Sequence, residues 1–231
     1  MEINVTSFAS KSFKLQQKRQ EEILLKIGFS SKQIHIFNPD KLNKEFFTYQ
    51  PNASEENKFG WYSFKPFFLG MILKDLNEGD ILIFLDVNDK PLFGIKEYIG
   101  NQFIKNKFID ILSCSTNYPN FKYLSKFHKS NLSIPLLIDS FFACQPETGA
   151  LAIRNSPKSR SIIRIWYELT LINSYKLNKF KYEDNPSRPC QETMFILSRI
   201  YRTIKFESWF KFKIRGKGMR SFIDFEGLRY L

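Results

Sequence analysis

Five consecutive apolar residues, Ile81-Leu82-Ile83-Phe84-Leu85, run unbroken from Gly79-Asp80 to the carboxylate of Asp86. Such a run, partly β-branched, is expected of a strand covered on both faces of a parallel sheet. A buried helix could give the same run, but its short length between Gly79 and the Asp/Asn cluster favours the strand. The end of the strand carries the chemistry. It delivers Asp86 and Asp89 into solvent, at the sheet edge where open α/β folds build ligand sites and where carboxylates can hold a divalent cation against a phosphate. The feature therefore implies an α/β fold with a nucleotide-dependent site. As an exposed strand-end group, Asp86 is expected to contribute little to packing, and Asp80 is read as structural.

The surrounding elements alternate. Ile3–Phe8 reads as a first strand, Phe13 to Ile27 as an amphipathic helix closed by Gly28, and Ile34–Phe37 as a second short strand. Asn38 to Asn57 is polar and irregular, with a short helix near Leu42–Phe47. Pro66 suits the start of a helix, and Phe68, Met71, Ile72 and Leu76 follow at helical spacing. Ile95–Phe103 is expected as a helix, Ile109–Cys114 as a strand, and Ser115–Ser133 as a Lys- and aromatic-rich lid or acceptor loop. Leu151–Ile153 reads as a short strand. A helix then opens at Ser156-Pro157 with Ile162, Ile165, Trp166, Leu169 and Ile172 on its buried face, and a last one spans Gln191–Tyr201. Alternating strands and helices predict one mostly parallel sheet flanked by helices in a single domain over residues 1–231.

Several classes are excluded. No apolar stretch approaches the ~20 residues needed to span a bilayer, and Met1–Lys14 lacks the apolar block of a signal peptide, so a cytoplasmic location is expected. Cys114, Cys144 and Cys190 are widely spaced and form no CxxC pair, which indicates neither a disulfide framework nor a zinc site. With His35 and His128 alone, a histidine-rich metal site is excluded, and nothing points to a redox cofactor. The net charge of +12 implies a polyanionic partner without choosing among nucleic acid, lipid and nucleotide phosphate. Its densest stretch, Trp209 to Arg220 within the basic C-terminal segment 205–231, interleaves aromatics with cations. That pattern suits contact with an anionic membrane, a single-strand groove, or an edge strand with solvated lysines.

Gly60-Trp61-Tyr62-Ser63-Phe64-Lys65-Pro66, then a helix, then Gly79-Asp80-Ile81-Leu82-Ile83-Phe84-Leu85-Asp86, resembles bacterial and viral GT-A-type glycosyltransferases of capsule and lipopolysaccharide synthesis. Val5-Thr6-Ser7-Phe8-Ala9 with Arg19, and Glu147-Thr148-Gly149-Ala150 with Arg154-Asn155, extend the likeness over Ile3 to Ile200. Where the family shows D-x-G or D-x-D this chain has Asp86-Val87-Asn88-Asp89, which leaves Asn88 and Asp89 as candidates for a second metal-facing position. Gln191-Glu192-Thr193 stands where the family has D-Q-S.

The resemblance implies a GT-A-like fold and transfer of a sugar from a nucleotide-diphosphate donor, a UDP-sugar, to a glycan or lipid-linked glycan. For a lipid-linked acceptor, the cations of the segment 205–231 could hold such a cytoplasmic enzyme peripherally at the inner face of the membrane. The resemblance also implies donor contacts at Phe8, Ala9, Arg19, Trp61, Lys65, Asp86, Asn88 and Gly149. Negative charge building on a departing pyrophosphate calls for Mn²⁺ or Mg²⁺, held by Asp86 and Asp89, with Lys65 adding positive charge beside a helix N-terminus. If the reaction inverts the anomeric centre the acceptor hydroxyl needs a general base, for which Glu147 is the first candidate, with Glu192 and Asp184 as alternatives. Trp61, Tyr62 and Phe64 could stack on a sugar or base or enter the core. Two other classes remain. A sugar-phosphate nucleotidyltransferase would normally carry glycine in the loop at Ala9-Ser10-Lys11-Ser12, and a nucleic-acid-binding module would show a recognition motif.

Overall fold

The computed structural model describes residues 1–51, 53–54, 59, 62–119, 133–135, 144–177, 189–207 and 223–224. Gly60, Trp61, Asp184, residues 120–132 of the expected lid and the Trp209–Arg220 run lie outside them. The strands of the main sheet are β1 (Ile3–Phe8), β2 (Ile34–Phe37), β3 (Ile81–Leu85), β5 (Ile111–Pro119), β6 (Cys144–Arg154) and β7 (Ile204–Glu207), and β4 (Lys90–Pro91) pairs with β8 (Ile223–Asp224) in a separate small ladder. The helices are α1 (Lys14–Lys26), α2 (Lys44–Tyr49), α3 (Phe64–Asp75), α4 (Ile95–Lys105), α5 (Pro157–Leu177) and α6 (Pro189–Ile200). The six-stranded sheet has the order β2-β1-β3-β6-β5-β7. β1 runs parallel to β2 and β3, and β5 parallel to β7, whereas β6 is antiparallel to both β3 and β5.

The central strand explains the apolar run. Leu82 and Phe84 face a core built with α3, α5 and α6, among Phe68, Trp166 and Met194. Ile81, Ile83 and Leu85 face the opposite core with Leu24 of α1 and Ile99 and Phe103 of α4. Both faces are covered, so every position is apolar, each buried side chain contributing about 1.5–3 kcal/mol. An aromatic stack adds to the first core, with the Phe8 ring 4.1 Å from Phe64 and 5.6 Å from Phe68.

Three expectations change in detail. The strand predicted over Leu151–Ile153 is part of an eleven-residue strand that lies between β3 and β5 and runs antiparallel to both. α1 is not simply amphipathic: Leu15 and Leu25 are exposed, and its buried stripe is Gln17, Gln20 and Leu24. On α5 the buried stripe runs through Ser159, Ile162, Ile163, Trp166 and Thr170, which turns Ile172 to solvent at 52% exposure. Pro66 is the third residue of α3 and still within its first turn, where no backbone N–H is required for the helix ladder.

Candidate functional site

Because β6 runs antiparallel to β3, its early residues lie beside the carboxyl end of β3. Leu85 pairs with Ala150, and the ladder extends one step through the Asp86 N–H donating to the Gly149 carbonyl at 2.6 Å. Glu147, Thr148 and Gly149 are thereby carried to the place where Asp86 leaves the sheet. A parallel strand would have put them at the other end.

Lys65, in the first turn of α3, reaches the same point. Its ammonium lies 2.8 Å from Asp86 Oδ1 and 3.0 Å from Oδ2, and donates to the Thr148 carbonyl at 3.5 Å. The rings of Phe84 and Tyr62 flank it, with centroids 5.1 and 5.3 Å away. Lys65 is 4% exposed, whereas the Asp86 side chain is 43% exposed. Burial alone would lower the Lys65 pKa, but the Asp86 charge and hydrogen bond outweigh it and hold the ammonium above its ordinary value. Lys65 therefore carries a permanent charge, and Asp86 is its counterion. The expectation that Asp86 contributes little to the fold is corrected accordingly: it neutralises a buried cation.

Gly149 packs on this pair. A Cβ there would sit 2.7 Å from Asp86 Oδ2 and 3.1 Å from Glu147 Oε1, so any larger residue must displace the Asp86 carboxylate. Its N–H donates to Glu147 Oε1 at 3.0 Å, folding that half-buried carboxylate back onto its own strand. Cys190, at the start of α6, is buried beside Lys65, and burial pushes its thiol up to about 12, so it is neutral and no nucleophile. Glu192, two residues further along α6, is 1% exposed.

The turn after β3 closes through the Asp89 N–H donating to the Asp86 carbonyl at 2.9 Å. Asp89 is 4% exposed, so only Asp86 of the two expected carboxylates reaches solvent. Within that turn the buried Asn88 Oδ1 makes no hydrogen bond to the described residues, nor does the buried Arg19 Nη1 of α1. Among the described residues no three Asp, Glu, His or Cys side chains group closely enough to hold a metal by themselves. The oxygens of Asp86 and the unpartnered Asn88 Oδ1 nonetheless fit the donor type that Mg²⁺ and Mn²⁺ take, with the remaining positions left to a ligand.

Phe8, Ala9 and Phe64 are core residues, buried in the β1–α3 contact, and the Phe8 and Phe64 rings are occupied with each other. Sequence reasoning missed Gln20, Thr148 and Cys190, and it left Tyr62 undecided. Tyr62 takes a left-handed φ of 70° that places its ring against Lys65. The one available signal was the pair of glutamines on the buried stripe of α1.

No family model matches the chain, and no curated protein sequence matches it. Among solved structures, a glycosyltransferase involved in glycosylation of the major capsid of PBCV-1 superposes with a TM-score of 0.53 at 11% identity, over 100% of both chains. The galactosyltransferase LgtC, in complex with donor and acceptor sugar analogs, superposes with a TM-score of 0.50 at 10% identity, over 88% of this chain and 72% of that one. At such identities the likeness is one of architecture: the chain has the mostly parallel, helix-flanked fold of the GT-A glycosyltransferases.

Proposed function

We propose that the chain is a glycosyltransferase that moves a sugar from a nucleotide-diphosphate donor, a UDP-sugar, to a glycan acceptor in surface polysaccharide synthesis. The observation that carries the reading is the Lys65–Asp86 pair packed on Gly149 at the carboxyl edge of β3. A buried lysine costs desolvation, and this one is held next to a carboxylate that is half open to solvent, where an α/β sheet takes its ligand. The architecture shared with sugar transferases supports the same reading.

In this scheme the donor's C1–O bond to the diphosphate breaks, a C1–O bond to the acceptor hydroxyl forms, and the hydroxyl proton passes to a carboxylate. Glu147 is the better placed base, since it is half-buried and beside Gly149, whereas Glu192 is enclosed. Lys65 keeps positive charge beside the site at every physiological pH, and Arg19 offers an uncommitted N–H to phosphate or sugar oxygens. Asp86 and Asn88, with Asp89 in the same turn, are the residues that would hold Mn²⁺ or Mg²⁺, which supplies charge neutralisation to the leaving diphosphate. We assign Gly149 to close approach of the donor, Phe8 and Ala9 to donor contact through backbone, and Trp61 to stacking. The enzyme is taken to act as one domain at the cytoplasmic face of a membrane, with the basic segment 205–231 as its contact to anionic lipid. Salt-sensitive co-sedimentation with anionic but not neutral liposomes is the expected result for that segment, and equal, negligible binding to both removes it.

The test of the whole reading is thermal. UDP with Mn²⁺ at about 100 times its Kd should stabilise the fold by about 2.7 kcal/mol, several degrees in Tm. Oligonucleotides should bind weakly and lose affinity steeply with salt. Sequence-selective oligonucleotide binding at physiological salt, with no response to any nucleotide, overturns the proposal.

A further inference from the structure

We infer that Gln20 is the positioning residue of this site, holding the Asp86–Asp89 turn so that Asp86 meets Lys65. Its side chain is fully buried, and its Nε2 donates to two backbone carbonyls, those of Asp86 at 2.9 Å and Asp89 at 2.6 Å. These are the residues that open and close the turn. One amide therefore clamps both ends of a four-residue loop to helix α1.

Helix formation does not ask for this residue. The position lies on the buried stripe with Leu24, where an apolar side chain would pack at no desolvation cost. Moreover, Gln20 Oε1 is buried and accepts no hydrogen bond from the described residues, a cost that folding alone leaves unrecovered. What the amide secures is the backbone of Asp86. From that backbone the carboxylate must reach the Lys65 ammonium with both oxygens while clearing Gly149. A turn free to shift by a few tenths of an ångström would lose one contact or strike the other.

Gln17 supplies an internal control. It is a buried glutamine on the same stripe, and its Nε2 donates to the Phe37 carbonyl at 2.9 Å, a single bond made to the end of β2 instead of the carboxylate turn. If Gln20 were merely structural, Gln20→Met and Gln17→Met would behave alike. The experiment compares the two variants by the ¹⁵N resonance of the Lys65 ammonium, expected to exchange slowly in the wild-type protein because the group is buried and paired, and by calorimetric titration with UDP and Mn²⁺. Gln20→Met is expected to lose or broaden the Lys65 resonance and to weaken UDP·Mn²⁺ binding at least tenfold, with Gln17→Met retaining both. Gln20→Asn, polar but one methylene too short to span both carbonyls, should show the same defect if Gln20→Met does not fold. An unchanged Lys65 resonance in a folded Gln20 variant, or an equal loss in Gln17→Met, overturns the assignment. The titration rests on the proposed function and the resonance does not. If wild-type protein fails to bind UDP·Mn²⁺, the functional reading falls and the resonance alone decides the role of Gln20.

Discussion

Replacing Gly149 by alanine adds a single methyl group at the most crowded point of the site. The new Cβ would lie 2.7 Å from Asp86 Oδ2, against an ordinary contact of at least 3.4 Å, so the two must separate by 3.4 − 2.7, or 0.7 Å. The backbone of Gly149 cannot supply that movement cheaply, because its carbonyl accepts from the Asp86 N–H at 2.6 Å and its neighbour Ala150 is paired with Leu85. The Asp86 carboxylate must therefore rotate, and the oxygen displaced is one of the two that hold Lys65. Overpacking costs about 1–3 kcal/mol. Weakening the counterion of a buried ammonium adds to this, but less than the ~3–5 kcal/mol of a deleted partner, since Asp86 survives and is partly solvated. The overpacking alone, about 1–3 kcal/mol, corresponds to a Tm lower by roughly 2–12 °C for a chain of this size, and the weakened counterion lowers it further. Denaturant titration should show a lower midpoint with an unchanged slope, and UDP·Mn²⁺ binding should fall with it. A Gly149→Ala protein as stable as wild type, with its Lys65 ammonium undisturbed, would refute the reasoning.

Two other perturbations probe the same pair. Asp86→Ala should remove transfer activity and also destabilise the fold, by about 1–3 kcal/mol once the partial exposure of Asp86 is allowed for, because Lys65 is left buried without its counterion; a variant of wild-type Tm with full activity refutes both roles. For pH, the Lys65 pKa is raised in the folded protein, so its stabilisation is fully present below the ordinary value of 10.5 and is lost as pH rises through the raised folded value. Wild-type Tm should accordingly fall faster than that of Lys65→Met only in strongly alkaline solution, and parallel curves there would contradict the assignment.

The fold was largely legible in the sequence because its strongest signals are local. The run at Ile81–Leu85 could only be so apolar if both faces were covered, and the strands at Ile3–Phe8 and Ile34–Phe37 are bounded by ordinary helix and turn chemistry. The direction of β6 was not legible: periodicity reports which faces are buried but not whether a strand runs parallel or antiparallel to its neighbours. For the same reason the sequence pointed to Asp86, Lys65 and Gly149 as separate features without showing that they touch. Asp89 was misjudged as exposed, since a carboxylate after a strand looks solvent-facing until a buried amide from another element closes the turn over it. Gln20 itself carried a faint signal, a glutamine where the helix stripe wants leucine.

The antiparallel strand that builds the site is also held in register by it. At the far end of β6, Arg154 donates to the carbonyls of Lys107 at 2.6 Å and Phe103 at 2.5 Å, closing the end of α4. Asn155 next to it donates to the carbonyls of Leu76 at 2.8 Å and Asn77 at 3.1 Å, closing the end of α3. These staples set the strand to within a residue, and side-chain alternation does the rest, since a slip of one position would turn Ala150 and Ala152 to the wrong core. A slip of two would preserve that alternation but bring Arg154 and Asn155 to the core positions of Ala152 and Ile153, or Gly149 to that of Leu151. It would place Leu151 or Glu147 where Gly149 now stands, with a side chain driven into Asp86 Oδ2. The missing Cβ of Gly149 thus adds to the staples in opposing the registers that side-chain alternation alone would tolerate, and the residue that lets the carboxylate approach the strand also helps to set where the strand stops.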